Sequence, residues 1–483
     1  MKNDSKDATN NKAQPSTQGD QLAKALDWIL DGESFAEVAL HGNVTWIVSH
    51  LVRVAILWVW SSKRLLVESA DDAIAKTAEI CKSTGIKSYQ VLTNALIKYG
   101  VLVLDCMQRR MHKLMEQTDR AKFRIGIWLV LAVDGSRLDT PRTQANEARF
   151  CKPRNKKRSK KNQKQSKAKA KRGRHAKKRE PVSKKSHYDP QPVGPQVWLT
   201  LLWHVGLRMP WAWKIGPSYS SERGHLLEML GSTEFPENTM ICGDAGFVGY
   251  EFWKAIDTAG HRFLCRVGGN CTFLKQLGHV RQRGNIVYCW PKDQQQRKQP
   301  PLMLRLLCFN DGRGQVYLVT NELNTRNLSD SLAGQIYRRR WGIEVQFRTL
   351  KQTFDRSKLL GRTPEVAVEE LNWSLVGLWV AQLFALREQT GMIEPDAQAS
   401  VAQVLRILED IIQRPDLVPT RGQSMGSRLS NAQTDTYKRK NPKKSRNYPR
   451  RKEEPRTGPP KFVLATSDQR KLINEIESLQ NAA

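Results

Sequence analysis

The clearest indication of the fold class is a nine-residue apolar run, Ile125-Gly-Ile-Trp-Leu-Val-Leu-Ala-Val133, in a chain of 483 residues. A continuous run of this length, rich in β-branched residues, is typical of a strand that is covered on both faces of its sheet. Strand-like runs recur further along the chain, at 197–204, 211–215, 238–242, 262–267 and 315–320. Helical stretches lie between the later runs, at 221–230 and 250–259. Strands first, then strand–helix alternation, predict a mixed α/β sheet.

The sheet region, residues 123–388, is interrupted by two segments of different composition. Residues 150–192 are basic, low in complexity and almost devoid of large apolar side chains. Such a segment cannot bury enough apolar surface to pack, so we predict a disordered insert. Residues 268–314 contain short apolar runs separated by Gly, Pro and polar residues, and these predict a small β-rich insertion.

Three other features lie outside the sheet region. Residues 1–20 are polar and are predicted to be disordered, whereas residues 21–122 have helical periodicity and predict an N-terminal helical domain. Within that domain, residues 44–60 are apolar but short for a membrane span and contain His50 and Arg53, so we expect a buried helix. Residues 389–483 predict a short amphipathic helix followed by a loose basic tail.

The positive charge of the chain is concentrated in two short runs. Residues 152–185 hold 18 Lys and Arg against one acid, Glu180, and residues 438–452 hold nine Lys and Arg and no acid. Together they supply 26 of the formal net charge of +32. Runs of this kind usually bind a polyanion, most often a nucleic acid, although a solvated tail or a targeting signal is the alternative interpretation.

The cysteines and the N-terminus predict a soluble, cytoplasmic protein. The eight cysteines are scattered without a Cys-x-x-Cys pair, and several lie in apolar runs, as Cys242 and Cys308 do. We therefore expect buried thiols with neither a disulfide framework nor a zinc site. The polar N-terminus lacks the apolar core of a signal peptide. The sequence also lacks a Gly-rich phosphate-binding loop ending in Gly-Lys-Ser/Thr, so the use of ATP is not indicated.

Two aspartates occupy positions at which a carboxylate is costly unless it is used. Asp134 directly follows the apolar run that ends at Val133, and Asp244 follows the shorter run Met240-Ile-Cys-Gly. The carboxyl end of a buried strand is a common position for a functional site in open α/β sheets. The alternative is that each aspartate simply begins a turn or caps a helix.

A third acid lies in a strongly helical segment, Tyr337-Arg-Arg-Arg-Trp-Gly-Ile-Glu-Val-Gln-Phe-Arg-Thr-Leu-Lys351. At about 100° per residue, one stripe of this helix holds five polar side chains: Tyr337, Arg340, Glu344, Arg348 and Lys351. An adjoining face is apolar and is expected to pack on the sheet: Ile336, Ile343, Phe347, Leu350 and Phe354. A solvated face supported by a Glu344–Arg348 pair would explain the charges, but not why the polar stripe borders the buried face.

The spacing Tyr-x2-Arg-x3-Glu-x6-Lys, occupied here by Tyr337, Arg340, Glu344 and Lys351, resembles the signature of bacterial DDE transposases of the insertion sequence 4 family. Asp134 in Val-Asp-Gly-Ser and Asp244 in Gly-Asp-Ala-Gly-Phe resemble the first and second acids of that family. The resemblance covers roughly residues 120–385. The long basic tract between the two aspartates departs from the family pattern.

The resemblance implies an RNase H-like catalytic core and a DNA transposase. Asp134, Asp244 and Glu344 would then be the catalytic acids and hold two Mg²⁺ ions, for which Mn²⁺ can substitute. The expected partners are double-stranded DNA, namely the terminal repeats of the element and the target DNA, and a second copy of the chain in a homodimer. The family precedent is cut-and-paste transposition through a hairpin end. The N-terminal helical domain is expected to contact DNA, and no membrane is involved.

The remaining residues of the signature are expected to contact DNA. Arg340, Arg348 and Lys351 would bind phosphates near the scissile position, and Tyr337 would bind a phosphate or pack. Hairpin-forming relatives stack an extruded base on an aromatic ring, for which Trp290 is the candidate. Trp341 is expected to pack, and the segment 220–225 is expected to begin a helix with Ser220 or Ser221 as its cap.

Three other functions compete with this interpretation. The first is a DNA-binding protein without catalysis, derived from a transposase. The second is a stand-alone nuclease, which would cut DNA without forming joined products. The third is a basic structural protein of nucleic acids, but it does not explain why the charge lies outside a large apolar core.

Overall fold

The computed structural model describes residues 16–31, 33–82, 85–153, 194–278, 285–310, 314–390, 399–433 and 458–481. The predicted disorder at residues 1–20 and 150–192 falls largely outside these ranges, as does the basic run 438–452. Where the ranges overlap, the structure differs from the prediction. Helix α1 begins at Gln18, and Phe150 is a buried helical residue.

One mixed sheet of ten strands forms the centre of the described chain. Its spatial order is β10-β6-β7-β8-β9-β5-β4-β1-β2-β3. The strands are β1 (Leu129–Asp139), β2 (Gln196–His204), β3 (Met209–Pro217), β4 (Thr239–Gly243), β5 (Arg262–Val267), β6 (Thr272–Lys275), β7 (Ile286–Cys289), β8 (Leu302–Asn310), β9 (Gln315–Thr320) and β10 (Lys461–Leu464).

The five strands β3-β2-β1-β4-β5 have the order and directions of an RNase H-like core. β1, β4 and β5 are parallel, and β2 and β3 are antiparallel to their neighbours. The first five residues of β1 and all five residues of β4 are buried, because helices cover both faces of the sheet there. The predicted fold class is therefore confirmed.

The helices of the N-terminal region share their hydrophobic core with the sheet. They are α1 (Gln18–Ile29), α2 (Val48–Trp60), α3 (Leu66–Cys81), α4 (Tyr89–Thr118) and α5 (Arg120–Phe123), with a 3₁₀ turn at Glu33–Phe35. A long helix near the other end of the chain, α12 (Pro364–Gln389), joins them to the sheet. Trp60 donates its indole N–H to the Gly377 carbonyl at 3.0 Å, and Trp379 donates to the Met115 sulfur at 3.1 Å.

Two apolar helices bear on the question of a membrane. Helix α2 is buried along most of its length, as expected for residues 44–60. By length and composition alone, α4 is the one helix in the described part of the chain that could cross a membrane, and half of its most apolar window is buried inside the protein. All eight cysteines are free thiols. Five of them are buried, as predicted, but Cys81 and Cys151 are only half-buried and Cys308 is exposed.

The β-rich insertion extends the main sheet. Strands β6, β7 and β8 continue it beyond β9, and the short helix α9 (Lys292–Gln296) lies between β7 and β8. The C-terminal segment completes this part of the molecule, because β10 pairs in parallel with β6 and α15 (Ser467–Asn481) packs against the same strands. The expectation of a loose tail after the second basic run is therefore wrong for residues 461–481.

Six more helices complete the described chain: α6 (Gln144–Phe150), α7 (Glu222–Ser232), α8 (Tyr250–Thr258), α10 (Asp330–Arg339), α11 (Gly342–Gln352) and α13 (Val401–Gln413), with the short α14 (Met425–Ser430) after them. The sequence predicts one continuous helix through Tyr337–Lys351, but the structure divides it into α10 and α11. Arg340 and Trp341 form the junction, where backbone bonds from Ile343 to Arg340 and from Glu344 to Trp341 span three residues instead of four.

Candidate active site

Two of the three predicted acids lie side by side, Asp134 within β1 and Asp244 directly after the neighbouring parallel strand β4. The register that pairs Ala132 of β1 with Cys242 of β4 places Asp134 level with Asp244, and both side chains project to the same face. Adjacent strands are about 4.8 Å apart, so the two aspartate backbones are direct neighbours. The expectation that β1 ends at Asp134 is wrong, because β1 continues to Asp139 by pairing with β2. Strand β4 ends at this level, so both aspartates lie half-buried at its carboxyl end.

Each aspartate is oriented by a nearby backbone N–H. Gly135 donates to Oδ1 of Asp134 at 2.8 Å, and Gly246 donates to Oδ1 of Asp244 at 2.7 Å. Burial raises the pKa of Asp134, and the neighbouring charge of Asp244 raises it further, whereas the Gly135 hydrogen bond and Arg340 oppose the shift. Burial and the neighbouring charge therefore disfavour the ionised form of Asp134, and a bound cation would favour it.

Glu344 reaches the same site from helix α11. The apolar face predicted from the sequence packs this helix against the sheet, with Ile343, Phe347 and Leu350 all buried. The Glu344 side chain is 36% exposed and therefore remains accessible to a ligand. Burial raises its pKa, and the charges of Asp134 and Asp244 contribute, while Arg340 and Arg348 oppose them. The three acids, more than 200 positions apart at the extremes of the sequence, therefore interact electrostatically.

Arg340 lies buried beside this group of acids, with its side chain 8% exposed. Its Nη2 is 3.9 Å from Oε1 of Glu344, and its guanidinium carbon is 5.5 Å from the centre of the Tyr337 ring. Its Nε–H has no hydrogen-bond partner within the described residues. A buried donor of this kind is costly unless a ligand completes it, and an anion beside the carboxylates would do so.

The other signature residues are less closely grouped. Burial raises the pKa of Tyr337 to about 12. Lys351 lies further along α11 near Asp139, and burial lowers its pKa while the Asp139 charge opposes that shift. Arg348 is exposed on the same helix. The structure therefore places Tyr337 and Arg340 at the acids, and Arg348 and Lys351 along the helix that leads away from them.

Trp290 does not have the surroundings expected of a base-stacking residue. It is 4% exposed and donates its indole N–H to the Gln299 carbonyl at 2.7 Å. It packs in a small hydrophobic cluster with Leu274, Tyr288 and Ile473, which joins the insertion to the C-terminal helix. The burial of Trp290 and its packing in this cluster therefore argue against a base-stacking role in this conformation.

Trp341 and Glu222 are two residues near the site whose positions the sequence does not predict. Trp341 was expected to pack, but it is 58% exposed at the α10–α11 junction, beside Arg340. Ser221 does cap α7, as predicted, by accepting from the Gly224 N–H at 3.0 Å. The next residue, Glu222, projects toward Asp134 and was not identified as a site residue. Its signal in the sequence, one acid at a helix start, is too common to be noticed.

A cavity of about 430 Å³ adjoins the acids. Half of its lining residues are cationic or aromatic: Arg137, Lys152, Trp198, Tyr219 and Arg223. Arg137 stacks on the Trp198 ring at 4.4 Å from its centre. Glu222 and Gly246 form the part of the wall nearest Asp134 and Asp244. The cavity can therefore receive part of a negatively charged polymer next to the carboxylates.

The three acids fit a divalent cation in the chemistry of their side chains. Carboxylate oxygens are the ligands that hard cations such as Mg²⁺ prefer. Within the described ranges, no three His, Cys, Asp or Glu side chains approach closely enough to hold an ion as they stand. Burial is the first cause that raises the pKa values of Asp134 and Glu344, and the neighbouring carboxylates add to it, so a cation bound beside them would favour their charged forms.

Comparisons with known proteins find similar transposases. Residues 207–379, which include Asp244 and Glu344, match the family model described as a transposase DDE domain. Over 272 residues, the chain is 24% identical to the transposase InsG for insertion sequence element IS4 of Escherichia coli (strain K12). That match covers 49% of this chain and 60% of InsG, so the chain spans less than two thirds of the length of this relative. The predicted resemblance to DDE transposases of the insertion sequence 4 family is confirmed.

Two solved structures are also similar to the chain. The piggyBac transposase synaptic complex with hairpin DNA superposes with a TM-score of 0.37 at 10% identity, covering 86% of this chain and 85% of that one. A pre-cleavage Mos1 transpososome superposes with a TM-score of 0.16 at 11% identity, covering 39% and 54% of the respective chains.

Proposed function

We propose that this chain is a DNA transposase that cleaves the ends of an insertion sequence and joins them to new DNA, using Asp134, Asp244 and Glu344. The observation that carries the proposal is the convergence of these three acids on one edge of an RNase H-like sheet. They come from two strands and a helix that are remote in sequence. Convergence of this kind is expected of a site and has no purpose in packing, because like charges destabilise one another.

The metal implied by this chemistry is a divalent cation held by the three carboxylates. Two bound ions, Mg²⁺ or Mn²⁺ in its place, would activate an attacking oxygen and stabilise the leaving oxygen in an in-line displacement at phosphorus. Asp134 lies within β1 and Asp244 directly follows the adjacent strand β4, whereas Glu344 lies on a helix packed against the sheet. The sheet therefore fixes two of the ligands and the helix positions the third.

The reaction exchanges phosphodiester bonds. Water attacks phosphorus, and the 3′ oxygen leaves with a proton to give a free 3′-hydroxyl. That hydroxyl then attacks a phosphorus of the opposite strand, which closes a hairpin, and after hairpin opening it attacks the target DNA. In the joining steps one phosphodiester bond forms as another breaks, so no nucleotide triphosphate is needed.

The cationic residues have positions suited to holding the DNA. Arg340 is buried at the acids with an unpaired Nε–H, which suits a contact to a phosphate next to the scissile bond. Tyr337 packs on Arg340 and restricts its position. Arg348 and Lys351 continue the cationic surface along α11 and would contact the strand beyond. The DNA substrates are double-stranded element ends and target, and two copies of the chain would pair the ends in a homodimer.

The test is cleavage of DNA that carries the ends of the element, with Mg²⁺ or Mn²⁺, by the wild type and by Glu344→Ala. Glu228→Ala is the matched control, since Glu228 pairs with Lys214 on the surface of α7. Cutting by the wild type and the control, with DNA binding but no cutting by Glu344→Ala, would support the proposal. Binding by all three without cutting would favour a DNA-binding protein that lacks catalysis. Cutting that never yields joined products would favour a nuclease.

A further inference from the structure

Glu222 lies directly against the glycine that follows Asp134. If Gly135 had a Cβ atom, that atom would be 2.4 Å from Oε1 of Glu222 and 2.5 Å from its Cγ. Contacts this short do not occur, so only glycine at position 135 allows the Glu222 side chain to lie where it does. The backbone of β1 is therefore shaped to admit this particular carboxylate.

The same glycine brings two carboxylates together. Its N–H donates to Oδ1 of Asp134 at 2.8 Å, while its Cα faces Oε1 of Glu222. Gly246, which donates to Asp244 at 2.7 Å, lines the same cavity as Glu222. Glu222 thus adjoins both strand aspartates from the side of helix α7, whereas Glu344 approaches them from helix α11.

Glu222 is half-buried and has no close ion-pair partner among the described residues, although Arg137 and Arg223 lie in the same cavity wall. Burial raises the pKa of Glu222 to about 7, and the charges of Asp134 and Asp244 add to the shift, whereas Arg137 and Arg223 oppose it. Glu228, six residues along the same helix, is by contrast exposed and paired with Lys214 at 3.0 Å. A carboxylate held among other carboxylates without a partner is costly unless a cation binds there.

We propose that Glu222 is a fourth carboxylate ligand of the metal site, acting with Asp134 on the side of the site that faces the cavity. This inference rests on the proposed function, because it concerns the same metal site. Hard cations commonly take several carboxylates, and an additional acid would hold the ion nearest the cavity. The buried Arg340, with its unpaired Nε–H, supports a ligand-binding role for this edge of the sheet.

The experiment is titration of the full chain with Mn²⁺ in the absence of DNA, with the free ion followed by electron paramagnetic resonance. Four variants are compared with the wild type: Glu222→Gln, Gly135→Ala, Glu228→Gln and Asp134→Asn. We expect Glu222→Gln to weaken Mn²⁺ binding about tenfold to a hundredfold, as expected for the loss of a group that holds or orients a metal. Glu228→Gln should bind as the wild type does. Gly135→Ala removes no charge, but it should weaken binding because the new Cβ displaces Glu222.

The outcomes separate this inference from the proposed function. Weaker binding by Asp134→Asn, with Glu222→Gln unchanged, would overturn the role of Glu222 and leave the metal site in place. Wild-type binding by every variant, including Asp134→Asn, would overturn the metal site itself. The isosteric Gln retains the shape of the side chain, and thermal melts of each variant would show that a loss of binding is not a loss of folding.

Discussion

Gly342 lies against the indole ring of Trp203, so closely that a Cβ atom at position 342 would be 2.1 Å from Cη2 of that ring. Trp203 belongs to strand β2 and is 2% exposed, so its ring is held within the core. Gly342 is the first residue of α11, two residues before Glu344. This contact sets the distance between the start of the helix and the sheet, and with it the position of the third acid.

Replacement of Gly342 by alanine should therefore affect both stability and catalysis. Because overpacking of a filled core costs about 1–3 kcal/mol, we expect a loss of that size in the free energy of unfolding. The rate of DNA cleavage should fall even under conditions in which the variant stays folded, because the helix that carries Glu344 is displaced. The control is Gly231→Ala in α7, where the new Cβ meets nothing within 4 Å. An unchanged melting temperature and an unchanged rate of DNA cleavage in Gly342→Ala would show that this contact does not set the position of α11.

Arg340→Ala should abolish most cleavage while leaving DNA binding nearly intact. The guanidinium is buried beside the acids, so its loss removes a phosphate contact at the reacting position rather than a general attraction. We expect cleavage to fall by about two orders of magnitude, as for the loss of one preorganised charge-stabilising donor. Arg339→Ala, which removes an exposed neighbour of equal charge, is the control. Equal effects of the two substitutions would contradict a specific role for Arg340.

Glu369→Gln should stabilise the protein at high pH but not at low pH. Burial of Glu369 in α12 raises its pKa to about 7, while a hydrogen bond from Asn372 opposes the shift. Below about pH 4.5 this carboxyl is neutral in both the folded and the unfolded states. Above that pH the unfolded state ionises first, so the wild type loses stability as the pH rises to about 7.

Glutamine carries no charge and can accept the same Asn372 bond. The gain in the free energy of unfolding should therefore be near zero at pH 4.5 and on the order of 2 kcal/mol at pH 8. Denaturant titrations at the two pH values measure this difference. A gain that does not depend on pH would mean that the Glu369 carboxyl is not responsible for it.

Trp290→Phe should lower stability without a specific effect on DNA. The substitution keeps an aromatic ring in the cluster but removes the bond to the Gln299 carbonyl and some volume. We expect a loss of about 1–2 kcal/mol in the free energy of unfolding. Limited proteolysis should then cleave the insertion first. Loss of DNA cleavage with no change in the free energy of unfolding would instead support the base-stacking role that the buried position argues against.

Deletion of residues 152–185 should weaken DNA binding evenly across sequences. The deletion removes a net charge of +17 and leaves Asp134 and Asp244 in place. Each phosphate contact contributes about −0.9 to the slope of log K against log salt concentration, so the slope should become shallower by several units. Binding to specific and random duplexes at several salt concentrations measures this slope. An unchanged slope would show that the tract does not contact DNA.

Much of the core and most of the candidate site are visible in local sequence patterns. The apolar runs that begin at Ile125 predict six of the strands, because a strand buried on both faces has few alternatives in composition. The spacing of Tyr337, Arg340 and Glu344 predicts a polar stripe beside a buried face, because one turn of helix repeats every 3.6 residues. Both kinds of information are contained in neighbouring residues.

Other features depend on contacts between remote segments, and local patterns do not contain them. Asp134 lies inside β1 because β2 extends the pairing beyond the end of β4. Trp290 is buried because the C-terminal helix α15 covers it from almost 180 positions away in the sequence. Glu222 reaches Asp134 because the glycine beside Asp134 has no side chain.

The sequence thus determined which residues form strands and helices and which acids are candidates for the site. Only the tertiary structure decided which carboxylates meet, which aromatic rings are buried and where each strand ends. The physical reason is one of range. Backbone periodicity and burial of one face act between residues a few positions apart, whereas pairing register, close packing at glycines and repulsion between carboxylates arise only when distant segments are brought together.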